Sequence, residues 1–211
     1  MDVLTNNIIV KGGWVMIPII LGSIIALGLA VERGMLLWKI RLDVKKFTDT
    51  IFSLLEKGHT DRAIEECGKT EHPIGRVLAA GLAHRGSEAV EIERHMEHIG
   101  NEEVALLEKN MHVFLVIVGV EPMLGFLGTI IGLIGAFMAW EAAGAAVTVE
   151  KLAGGIYQAM ITTAGGLSVA IPYYIIYSIY MNRINGIARD MNHYGEKLVH
   201  VLKDISSRKK K

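Results

Sequence analysis

The chain has 211 residues, 51% of them apolar and 21% charged, with 22 basic and 22 acidic side chains and a mean hydropathy of +0.37. A uniform soluble domain does not combine those values, so the composition points to apolar spans segregated from charged stretches. With no net charge, nucleic acid is not an expected partner.

A hydrocarbon core about 30 Å thick needs roughly 20 apolar residues of helix, and three runs of that length occur. The first covers 14–38 and is uncharged from Trp14 to Val31. It ends in Glu32-Arg33 and lacks a basic leader or small-residue cleavage site, so it is read as a retained span and not as a signal peptide. The second covers 113–140, broken only by Glu121, and the third covers 156–181 without a charge. The chain is therefore expected to be an all-α membrane protein with three transmembrane helices. Its other parts are an N-terminal segment 1–13, a middle region 39–112, a loop 141–155 and a C-terminal region 182–211.

Basic residues set the orientation. Lys11 and Lys151 stand alone in the N-terminal segment and the loop, whereas Lys39–Lys109 holds eleven Lys or Arg and the tail after Met181 holds eight. By the positive-inside bias the N-terminus and the 141–155 loop are external, and the middle and C-terminal regions are cytoplasmic. Trp14, Trp140 and Tyr157 then fall at the outer interface, and Trp38 and Tyr180 at the inner one. Cys67 lies on the reducing side and is expected to be a buried small side chain, not a disulfide partner.

The middle region reads as helices. Val44, Phe47, Ile51, Leu54 and Leu55 share one face, with Gly58 placed to end that helix. A shorter helix from Asp61 to Cys67 ends at Gly68, and Pro73 opens another through His84. From Ser87 there is no proline until Pro122, which predicts one helix of about 50 residues running into the second span, with Gly100 its weak point. In the tail, Ile184, Ile187, Met191 and Leu198 lie on one side of a helix that ends in the basic cluster Arg208-Lys209-Lys210-Lys211. Glu91, His95 and His98 form the densest group of possible metal ligands. A zinc site would need further ligands from another helix, so a solvated face is the reading adopted, with no metal or other cofactor expected. No nucleotide-binding or hydrolase motif is present, and no enzymatic activity is expected.

The second and third spans carry the informative residues. Gly125, Gly128 and Gly132, three and four apart, form a smooth stripe on which another helix can pack closely, with Thr129 beside it. In the third span Gln158, Thr162 and Gly165 or Gly166 share a side, and Thr163 lies next to them. Pro122 and Pro172 each leave a carbonyl without its helical partner and can act as hinges. Small and hydroxyl residues can serve merely to join helices; two neighbouring spans that each present such a face also suit a shared polar lining.

The stretch Pro122-Met123-Leu124-Gly125-Phe126-Leu127-Gly128-Thr129-Ile130-Ile131-Gly132 resembles the P-x-L-G-L-L-G-T-V-x-G signature of the MotA/TolQ/ExbB proton-channel family. Ala159-Met160-Ile161-Thr162-Thr163-Ala164-Gly165-Gly166-Leu167-Ser168-Val169-Ala170-Ile171-Pro172 is similar to its A-L-x-T-T-A-x-G-L-x-x-A-I-P partner motif. Glu32-Arg33 and the three-span layout also match, and the chain length points to the ExbB/TolQ branch.

The resemblance implies a homopentamer in the bacterial inner membrane whose second and third spans enclose a pore. It also implies two copies of a single-span ExbD- or TolR-like partner carrying a membrane aspartate, and a TonB- or TolA-like protein that receives the work. Proton motive force would be coupled through that aspartate to work at the outer membrane or envelope. Thr129 and Thr163 match the family's pore threonines, and Pro122 and Pro172 its prolines. Two positions depart from the pattern. Gln158 stands where ExbB proteins often carry a glutamate, and an amide can only hydrogen-bond. Glu121 replaces a small residue about 12 Å cytoplasmic of Thr129; it is expected to line the inner mouth and concentrate cations, or else to be a plain interfacial carboxylate. The reading from a different class is a non-conducting membrane scaffold.

Overall fold

The structure is a computed structural model that describes residues 11–144 and 148–209. Residues 1–10 of the N-terminal segment, 145–147 of the loop and 210–211 of the basic tail lie outside the described residues. Among the described residues there are helices and no strand: α1 Met16–Lys39, α2 Val44–Glu56, α3 Thr60–Gly68, α4 Pro73–Ala83, α5 Ala89–Glu108, α6 Met111–Ala143 and α7 Val149–Lys209. Three helical stretches, those containing α1, α6 and most of α7, are long and apolar enough to cross a membrane. The chain divides into two compact units. One holds the residues up to Glu32 with Asn110–Ser178, and the other holds Arg33–Lys109 with Ile179–Lys211.

In the first unit each helix buries a narrow stripe. On α6 it is Met111, Phe114, Val118, Glu121, Gly125, Gly128, Gly132 and Ala136, spaced three and four apart throughout. On α1 it includes Met16, Ile19 and Ala26, with Val15 just before it, and on α7 Ala159, Thr162, Gly166 and Ala170. The other faces expose large apolar side chains, among them Ile17, Leu21, Ile24, Phe126, Phe137, Ile171 and Ile175. Each Leu or Ile left half exposed to water forfeits roughly 1 kcal/mol. Hydrocarbon removes that cost, so this pattern belongs to helices whose solvent is lipid. Helices α6 and α7 continue through Pro122 and Pro172.

The single long helix expected from Ser87 into the second span is not what forms. Helix α5 ends at Glu108, and Asn110 adopts a left-handed φ of 62° before α6 begins. Asparagine is one of the few residues besides glycine that enters this region cheaply. Its carbonyl then accepts the Phe114 N–H at 3.0 Å to start the next helix. Gly100 lies inside α5 without breaking it.

In the second unit, α2 is capped by Asp43, whose side chain accepts the Lys46 N–H at 3.1 Å, and is followed by Gly58 at φ 78°. Thr48, Ile51, Phe52 and Leu55 form its buried face; of the expected face, Ile51 and Leu55 are buried and Val44, Phe47 and Leu54 half-buried. Ile184, Ile187, Met191 and Leu198 of α7 are buried. Met96 of α5 and Leu198 converge on Gly81, and Met96 also packs on Gly195. Cys67 is buried, and burial together with the neighbouring Glu66 pushes its thiol up to about 12, which leaves it protonated and unreactive at neutral pH. His95 stacks on His84 with ring centroids 3.9 Å apart, and His98 lies 3.4 Å from Glu102.

His72 couples this unit to pH. It precedes Pro73 at the start of α4, and its buried Nδ1 accepts the Ile74 N–H at 3.2 Å. Burial, then the charges of Arg183 and Arg76, lower its pKa from 6.5 to about 4. The folded state therefore binds fewer protons than the unfolded state between those values. Stability is full above pH 6.5 and falls as the pH drops toward 4, by about 3 kcal/mol at most. His72→Asn keeps an N-cap acceptor and is expected to flatten the acid limb of a thermal-midpoint-against-pH profile; an unchanged profile would assign the limb to other groups.

Candidate functional site

The seam between α6 and α7 is built from glycine. A Cβ on Gly125 would lie 2.9 Å from the Thr162 carbonyl oxygen and 3.2 Å from Thr163 Cα, and one on Gly132 would lie 2.7 Å from the Gly155 carbonyl. Gly166 closes the same seam from α7, against Gly125 Cα and the Glu121 backbone. Gly165 faces the other way, toward Met16 on α1, whose Cε and Sδ a Cβ there would meet at 3.2 and 3.3 Å. Adjacent glycines thus serve two different helix contacts.

Close approach of the backbones brings two hydroxyls together. Thr129 Oγ1 and Thr163 Oγ1 are in hydrogen-bond contact across the seam. Thr129 Oγ1 also lies 3.2 Å from the Gly125 carbonyl and 3.1 Å from that of Ala159, and Thr163 Oγ1 lies 3.3 Å from the Gly125 carbonyl. Two hydroxyls own two protons, so these four contacts cannot all be made at once. Either Thr163 donates to Thr129, which donates to a carbonyl, or Thr129 donates to Thr163, which donates to Gly125. The pair can reverse its direction without moving a heavy atom, and each member keeps lone pairs for an outside donor.

Thr162 and Gln158 sit elsewhere. Thr162 is 0% exposed, its side chain fills the notch at Gly128, and its hydroxyl is satisfied by its own helix at Gln158 (3.2 Å) and Ala159 (3.0 Å) carbonyls. So enclosed, Thr162 is a packing residue of the seam within this chain. The Gln158 amide abuts Gly13, where the backbone has a φ of 70° and a Cβ would come within 2.6 Å of Nε2. Beside it, Lys11 Nζ lies 5.3 Å from the centre of the Tyr157 ring. The segment before α1 therefore packs on α7 at Tyr157 and Gln158.

Glu121 faces a different helix. It is 1% exposed and its Oε1 occupies the space above Gly22 on α1, where any Cβ would collide with it. Within this chain the carboxyl group is therefore enclosed between α6 and α1. Its placement was not legible from α6 alone, because the span's own end sets neither its facing helix nor its depth.

The fold and site together define a helical membrane protein whose second and third spans meet along a glycine seam that carries a threonine pair. Residues 69–193 match the MotA/TolQ/ExbB proton channel family. The chain is similar to an ExbB homologue from Methanothermobacter thermautotrophicus, described as a biopolymer transport protein (31% identity; 74% of this chain, 55% of that one). It is also similar to biopolymer transport protein ExbB-like 1 of Synechocystis sp. (31%; 82% and 68%) and to the Tol-Pal system protein TolQ of Haemophilus influenzae (34%; 52% and 47%). The chain belongs to the MotA/TolQ/ExbB proton channel family, in its ExbB/TolQ branch. It spans little more than half the length of the Methanothermobacter relative.

Proposed function

We propose that this chain is the stator and channel subunit of an ion-driven motor in the inner membrane. Five copies enclose a pore lined by the second and third spans, with N-termini outside and C-termini in the cytoplasm. Two copies of a single-span ExbD- or TolR-like partner stand inside, and the partner's membrane aspartate carries the proton. Movement of one component against the other then does work at the outer membrane or envelope, with a TonB- or TolA-like protein as the recipient. The observation that carries this reading is the Thr129–Thr163 pair. Its hydroxyls can donate to a carboxylate when it is ionised and accept from it when it is protonated. Pro122 and Pro172 give the two walls places to flex, and Gln158, packed on Gly13, joins the third span to the segment before the first.

The test replaces both threonines with valine, which keeps their shape and removes the hydroxyls. In cells, Thr129→Val with Thr163→Val should reduce energised envelope function at least tenfold while the complex still assembles, and serine at both positions should restore most of it. Full function in the valine variant would favour the scaffold reading.

A further inference from the structure

The buried carboxylate of Glu121 faces α1, away from the threonine pair. Its depth follows from its neighbours. Gly22 lies near the middle of the 14–38 span, and Gly166, packed on the Glu121 backbone, near the middle of 156–181. Taken with the 113–140 span, Glu121 lies within about 8 Å of the midpoint of each, well inside a hydrocarbon core about 30 Å thick. Oε2 is buried and has no hydrogen-bond partner among the described residues.

Among the described residues, the surroundings supply no counter-charge. On α1 the next ionisable residues after Gly22 are Glu32 and Arg33, about 15 Å along the helix, and before it stands Lys11. On α7 the tyrosines Tyr173 and Tyr157 flank Gly166, and Tyr173 packs on Phe114. On α6 the flanking ionisable residues are His112 and Glu141. An ionised carboxylate without a cation or donors inside hydrocarbon is far more costly than the same group as a neutral acid. Gly22 leaves the room that the acid fills.

We infer that Glu121 is a proton-binding site that this chain itself contributes in the membrane, between its first and second spans and separate from any carboxylate of a partner. The acid holds its proton while Gly22 covers it. Separation of α1 from α6 would let water reach Oε1 and Oε2 and let the proton leave as hydronium, the carboxylate remaining. The inference requires only that α1, α6 and α7 cross the membrane, so it stands or falls apart from the motor reading.

Infrared difference spectroscopy on the purified chain in lipid vesicles tests it, with carboxyl-13C glutamate to identify the band. Near neutral pH the wild type should show the carbonyl stretch of an unionised glutamic acid in apolar surroundings, and Glu121→Gln should lose it while keeping its helical amide bands. Gly22→Ala, which displaces the carboxyl group, should shift the frequency of that band or the pH at which it disappears. The inference is overturned if the band is absent from the wild type near neutral pH, if it persists in Glu121→Gln, or if a sodium salt converts it to a carboxylate band, which would make the site a cation site.

Discussion

Gly128→Ala and Gly125→Ala should each destabilise the chain, although alanine in a helix interior ordinarily stabilises by up to about 1 kcal/mol over glycine. The seam reverses the sign. At Gly128 the added Cβ would stand 2.5 Å from Thr162 Cβ and Oγ1, and at Gly125 it would stand 2.9 Å from the Thr162 carbonyl. Overpacking of that kind typically costs about 1–3 kcal/mol, and it also pushes Thr129 away from Thr163. The two sites should respond differently to a second change. Thr162→Gly removes the side chain that Gly128 meets and should recover part of the loss in Gly128→Ala. It leaves the backbone oxygen that Gly125 meets and should recover nothing there. Thermal midpoints of the four variants in one detergent decide the matter; a rise on either alanine substitution alone would contradict the seam.

Arg76→Ala should destabilise the second unit far more than its half-exposed side chain suggests. Arg76 of α4 makes a two-pronged ion pair with Glu103 of α5, 27 residues on. The glutamate side chain is 8% exposed, whereas about half of the arginine side chain is open to water. Removing the arginine leaves a buried carboxylate without its guanidinium, at a cost of about 2–3 kcal/mol, below the range for fully buried pairs because one partner is wet. Glu103→Gln should cost less, since the freed guanidinium can turn to solvent. Leucine at 103 with methionine at 76 should recover much of the loss. Equal losses in Arg76→Ala and Glu103→Gln, measured by thermal or denaturant unfolding, would mean that the carboxylate is not the buried partner.

The glycine stripe and the three apolar runs were legible because they follow from helix geometry: three-and-four spacing fixes a face, and run length fixes a span. What could not be read was which neighbour each face meets. Thr162 and Thr163 are consecutive, so they point about 100° apart on α7. Only the packed helices reveal that the first plugs Gly128 and the second meets Thr129. The neighbour of Glu121 was hidden for the same reason, since Gly22 is supplied by a helix about 100 residues earlier in the chain. The break at Asn110 sits among strong helix formers, and one left-handed asparagine outweighs them. His95, read as part of a solvated group with Glu91 and His98, instead stacks on His84, a contact made by the fold of α4 against α5.

The proposed motor rests on the threonine pair acting as the wall of an ion path that works only with a partner's carboxylate. Proton flux into vesicles under an imposed gradient measures this most directly, with the chain reconstituted alone, with the co-expressed single-span partner, and with the partner and Thr163→Val. The account predicts flux only in the second of these preparations. Equal flux with and without the partner, or flux undiminished by Thr163→Val, would contradict it.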